Sequence, residues 1–169
     1  MSTESTASTP AAALSAQDLT PRLLALIGDI HGKQDISRQL IQKHLEQQGW
    51  VDPDDSEHYG IVGKLTETWY YSLSYKRGLP GDKSKSLFFD FVDHTHSNAD
   101  MSPVCVALDD YKQPLIAAGF TAELEYTRFV EEYWRFTRDN LIVTVDLRGK
   151  RNRDDAQTCV EAITIRALS

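Results

Sequence analysis

The feature that most constrains this chain is that it repeats its own layout at an offset of about 70 residues. Leu45-Glu-Gln-Gln-Gly49-Trp50 is answered by Leu115-Ile-Ala-Ala-Gly119-Phe120. In each, Gly falls where a helix ends in a left-handed residue, and the aromatic after it can fold back on the Leu, the hydrophobic contact of a Schellman stop. Tyr75-Lys-Arg77-Gly78 and Asp146-Leu-Arg148-Gly149 then each end a strand-like run. A polar loop (79–86, 150–157) and an apolar run (87–92, 159–165) follow in both places. Two copies are too few for a solenoid. The layout therefore predicts two tandem α-then-β units in one domain, with pseudo-repeat halves at about 35–100 and 109–169.

The local signals agree. Ile36, Leu40, Ile41 and Leu45 share one helical face, with Asp35 or Ser37 available as N-cap. Asp110 with Gln113 resembles a capping box for a second helix, with Pro114 at its first-turn limit. Trp69 to Tyr75 alternates as a strand, and Leu141 to Leu147 is rich in β-branched residues. Asp139-Asn140 suits a two-residue hairpin turn. Hairpins imply antiparallel pairing, so the expected fold is α+β, an antiparallel sheet with helices on one face.

Composition narrows the function classes. The 169 residues carry 18 Lys plus Arg against 25 Asp plus Glu, a formal charge of -7. Nucleic-acid backbones are bound mainly by excess positive charge, so no nucleic-acid partner is expected. Residues 1–20 are Ser, Thr and Ala with few large apolar groups and are expected to form a disordered tail, leaving 21–169 as the domain. The first basic residue is Arg22 and the only early apolar stretch is Ala11 to Leu14, which does not make a secretory signal. Nor does any run approach the roughly 20 apolar residues that span a bilayer, so no membrane partner is expected. The expected compartment is the cytoplasm, with Cys105 and Cys159 as reduced, buried core thiols.

Gly28-Asp29-Ile30-His31-Gly32 follows the apolar run Leu23 to Ile27. This resembles the first motif of the calcineurin-like metallophosphoesterases, in which a strand delivers Asp and His to a two-metal site. The resemblance implies Asp29 and His31 as metal ligands, with His94-Thr95-His96 as the closing His-x-His element, and a water-activating phosphoesterase as the activity. The family's Gly-Asn-His and its bridging Asp element do not occur here. His94 and His96 also offer a lone metal site, since residues at i and i+2 on a strand face one side. Solvated loop is the preferred reading of that segment, and no cofactor is expected.

What remains is surface chemistry. Asp52, Asp54, Asp55 and Glu57 follow the first helix, and Glu123, Glu125, Glu131 and Glu132 the second. Two basic loops contrast with them, Lys76, Arg77, Lys83 and Lys85, then Arg148, Lys150, Arg151 and Arg153. Segregated charge of this kind steers association. In Trp69-Tyr70-Tyr71 at least one ring must face away from the helices and can anchor an interface. The expected function is a non-enzymatic protein-binding protein, most concretely a bacterial immunity protein that neutralises a cognate toxin or effector. Its expected partner-binding residues are Asp52, Asp54, Asp55, Glu57, Tyr59, Trp69, Tyr71, Glu123 and Glu125. The alternatives are the metal-dependent hydrolase and a secretion chaperone.

Overall fold

Alternation of large apolar with small or polar residues runs through the central strands, and it gives one sheet with a buried and an open face. The computed structural model describes residues 14–47, 49–78, 80–95, 99–128, 132–148 and 158–168. Helices α1 (Ala16–Gly28) and α2 (Arg38–Leu45) lead into strands β1 (Gly49–Asp52), β2 (Asp55–Lys64), β3 (Trp69–Arg77) and β4 (Lys85–Asp93). Helix α3 (Asp109–Ala117) leads into β5 (Thr121–Tyr126), β6 (Glu132–Arg138), β7 (Leu141–Arg148) and β8 (Cys159–Ala167). All eight strands form one antiparallel sheet in the order β1-β2-β3-β4-β8-β7-β6-β5. The α+β class is as expected. No helix among the described residues is long and apolar enough to cross a membrane.

One cross-strand row explains the core. Ile61, Leu73, Phe89, Ile163 and Val145 pair in register across five strands, and all five are buried. Leu19, Leu23, Leu26 and Ile27 of α1 and Leu40, Ile41 and Leu45 of α2 join the same core cluster. Helix α1 packs against both α2 and α3. Between α1 and α3 the contact has one polar link: the Tyr111 hydroxyl bonds the buried Thr20, and burial pushes its pKa up to about 12.

Sequence boundaries hold where the signal is local. Ser37 is the N-cap of α2, accepting from the Leu40 amide at 3.2 Å. Asp139-Asn140 turns β6 into β7, with Asp139 at φ 49°. At α3 the stop is as expected: Gly119 has φ 92°, its N–H donates to the Ile116 carbonyl, and the Phe120 N–H donates to the Leu115 carbonyl at 3.0 Å. That is the paired bonding of a Schellman motif.

Four expectations are corrected. Helix α1 starts at Ala16, inside the span read as a tail, because Ser15 and Asp18 form a reciprocal capping box; residues 1–13 lie outside the described residues. Helix α2 ends at Leu45 with Glu46 in the left-handed region at φ 35°, and Gly49 opens β1 without a positive φ. A side chain at Gly49 would collide with the ring and hydroxyl of Tyr59, so that glycine serves close packing instead of helix termination. Helix α3 begins at Asp109 without a side-chain cap, so the Asp110/Gln113 box is absent and Pro114 lies inside the helix. Finally, Cys105 and Cys159 are joined in a disulfide with Cα atoms 5.0 Å apart. It lies where residues 105–107 run beside β8, beside the bond from the Val160 amide to the Val106 carbonyl. The expectation that both thiols stay reduced is overturned by this disulfide.

Candidate interaction surfaces

The three helices cover one face of the sheet and leave the other open, and strand parity decides which side chains each face receives. In β3, Trp69, Tyr71, Leu73 and Tyr75 point under the helices and are buried. Two of the expected anchors, Trp69 and Tyr71, are therefore core, and so is Tyr59 of β2. The Trp69 indole N–H donates to the Asp100 carbonyl at 3.1 Å. The hydroxyls of Tyr59 and Tyr71 have no hydrogen-bond partner among the described residues, as suits rings held by packing. Tyr71 lies over Gly63 of the neighbouring strand, where any side chain would strike its ring. The aromatic that faces away is Tyr70, whose ring meets that of His94 at 5.4 Å.

The open face carries its own exposed apolar groups: Trp50 at 41%, Phe88 at 47% and Val62 at 51%. Trp50 lies over Gly60, which leaves room for the indole, and meets the His58 ring edge-on at 4.6 Å. Asp52 holds His58 from the other side, Oδ2 to Nδ1 at 3.3 Å. Its carboxyl is lowered first by the Asp54 amide and next by His58. The expected anchors Tyr59, Trp69 and Tyr71 are buried, whereas Trp50, Phe88 and Val62 are not among the expected partner-binding residues. The signal was present, since Leu87-Phe88-Phe89 sets one apolar residue of a strand out of phase with the core.

The expected acidic residues separate into two places. Asp52, Asp54, Asp55 and Glu57 lie at the β1–β2 hairpin, where Asp52 and Asp55 accept local amides and Glu57 pairs with Lys85 at 3.8 Å. The acidic turn is thus partly neutralised by one of the basic-loop residues. Glu123 and Glu125 lie on β5 at the far edge of the sheet. Seven strand spacings separate the edges, roughly 33 Å, so the clusters cannot form one patch. Glu125 accepts from the Tyr133 hydroxyl and pairs with Arg135 at 2.9 Å. Glu131, Lys150, Arg151 and Arg153 lie outside the described residues.

Strand β5 also ends the sheet, with one side unpaired among the described residues. Its other face carries Leu124 and Tyr126, exposed at 40% and 55%, beside α3 with its exposed Ile116. The strand reads Thr-Ala-Glu-Leu-Glu-Tyr, acid on one side and apolar on the other.

Among the described residues, the ligands of the metal alternative do not come together. The run Leu23 to Ile27 is helix, not strand, and Asp29 is the C-cap residue of α1. Its Oδ2 is occupied by Lys43 Nζ at 2.7 Å and His44 Nε2 at 2.9 Å, and these bonds, Lys43 first, lower its carboxyl. His31 lines a cleft of about 350 Å³ with Arg138, Asp139 and Leu141, at one end of the strands. Leu141 pairs with Ala167 and Ala167 with Lys85, so that end is the start of β4. His94 follows the last residue of β4, nine residues away and roughly 30 Å along the strand. His96 lies outside the described residues. No group of three or more potential ligands gathers among the described residues.

No protein-family model, no curated protein and no solved structure matches this chain.

Proposed function

We propose that the chain is a protein-binding protein that takes an extended segment of its partner along β5. The observation that carries the reading is the edge strand itself: Glu123 and Glu125 alternate with exposed Leu124 and Tyr126 on a strand whose second side has no partner among the described residues. Unpaired edge amides and carbonyls can add a strand, and the alternating side chains then choose its sequence. The complement is a segment in which Lys or Arg alternates with apolar residues. A second copy of β5 is a poor fit, because pairing centred on Leu124 sets Glu123 opposite Glu125.

A bacterial immunity protein that neutralises a toxin through a basic segment is the concrete form of this reading. A secretion chaperone is the second form, favoured by the fact that an edge strand accepts extended chain. The test is fluorescence anisotropy of the full chain with two labelled hexapeptides, one alternating Lys with Val and one alternating Glu with Val. We expect the basic peptide to bind at least about tenfold more tightly, and Glu123→Lys to remove that preference. Equal binding of both peptides, or no binding of either, would sink the proposal.

A further inference from the structure

Side chains on the open face fall into rows that cross the strands, and three adjacent rows differ in chemistry. The middle row runs Trp50, Gly60, Ser74, Phe88, Thr164 and Thr144 in unbroken register from β1 to β7, and continues into Arg135 on β6 and Glu123 on β5. Two residues toward one end of the strands stand Lys76, Ser86 and Arg166 on β3, β4 and β8. Two residues the other way stand Ser72, Asp90 and Ala162 on the same strands, with Asp146 next on β7. From β1 to β7 an apolar and hydroxyl row thus lies between a basic row and an acidic one, each about 7 Å away along the strands.

We propose that a second copy of this chain covers the open face, related by a two-fold axis that runs between the sheets along the Phe88 row. That rotation reverses the strand direction and leaves position across the sheet unchanged. Phe88 then meets Phe88, Thr164 meets Thr164, and the basic row of each copy meets the acidic row of the other. Asp90 of one copy comes opposite Ser86 of the second copy, flanked by its Lys76 and Arg166. An axis parallel to the strands would oppose each charged row to itself, which costs affinity. From β1 to β7 the arrangement is self-complementary, as an isologous interface must be; Arg135 and Glu123 would each meet their own copy, so the contact stops short of β6 and β5.

Two further observations fit. Five strand intervals, from β1 to β7, and about seven residues of strand give a face of roughly 550 Å² per copy, at the small end of specific interfaces. Asp90 makes no ion pair among the described residues; burial between the flanking strands and the nearby Glu161 both raise its carboxyl pKa. A cation from a second copy supplies what one copy lacks.

Sedimentation velocity of the full chain in the micromolar range tests this, with circular dichroism to show that each variant is folded. We expect a dimer for the native sequence, and a loss of at least about tenfold in affinity for Asp90→Arg, for Arg166→Asp and for Phe88→Arg. The double variant Asp90→Arg with Arg166→Asp should associate about tenfold more tightly than either single variant, because exchanged charges meet again across the axis. A native monomer throughout that range, a dimer indifferent to Phe88→Arg, or a double variant no tighter than its parents would overturn the proposal. None of these outcomes depends on β5, so the peptide experiment can fail while this one succeeds.

Discussion

The two faces of the sheet are made of alternate residues of the same strands, yet one is sealed by three helices and the other is open. Phe88 and Phe89 are the sharpest instance: consecutive phenylalanines of β4, one 47% exposed and the other 1%. Their chemistry is identical, so the contrast measures what position contributes. On the covered face a large side chain is held in a stacked and edge-on aromatic set, Tyr71, Phe89 and Phe91. On the open face the neighbours are Ser74 and Thr164, too small to surround a ring. The first face carries the packing, and the second leaves its large side chains in solvent.

Breaking the comparison at its centre gives the largest effect. Phe89→Ala should cost about 3–5 kcal/mol in urea titrations, the usual loss for a buried ring. Phe88→Ala, measured at concentrations low enough to keep the chain monomeric, should stay within about 1 kcal/mol. Comparable losses for both variants would mean that the open face is packed in the monomer. The disulfide comes next. It closes a stretch of 54 residues between the segment before α3 and the first residue of β8. The paired change Cys105→Ser with Cys159→Ser should lower stability by up to about 4 kcal/mol, and reduction of the native chain should reproduce that loss.

The smallest effect is one of pH, and both sides of the sheet contribute. Tyr111 and Asp90 both have raised native pKa values, so the folded state of each holds its proton longer than the unfolded chain does. Stability therefore falls as pH rises through each window. For Tyr111, among the helices, the window runs from the ordinary 10.0 to about 12. For Asp90, on the open face, it runs from 3.8 upward to its raised value. Asp29 and Asp52 are lowered and slope the other way, their contribution being lost as pH falls. Tyr111→Phe should flatten the alkaline limb of a melting-temperature profile, and Asp90→Asn should remove its share of the decline above pH 3.8. An unchanged alkaline limb in Tyr111→Phe would show that the hydroxyl is hydrated.

How much was legible in the sequence follows the range of the interaction. The Gly119 stop was read correctly because its bonds join residues at most five apart. The same pattern at Gly49 misled, since what requires that glycine is the ring of Tyr59, brought in by strand pairing. Alternation in Trp69-Tyr70-Tyr71 showed that the rings divide between two faces but gave no sign of which set the helices cover. Strands β2 and β5 were not read as strands, because glycines and charges dilute their periodicity. The pairing of Cys105 with Cys159 is invisible until β8 is laid beside residues 105–107.

Strand order has a kinetic consequence. Because β8 lies between β4 and β7, the last strand along the chain is the centre of the sheet. A chain emerging in sequence order can close each hairpin as it appears, but the edge of β4 waits for residues 159–167 before it finds its partner. Loop-closure entropy is then met in one late step joining two meanders, and folding should be slow for a domain of this size. Until that step both waiting edges are open to wrong partners, so the yield of refolded chain should fall as its concentration rises.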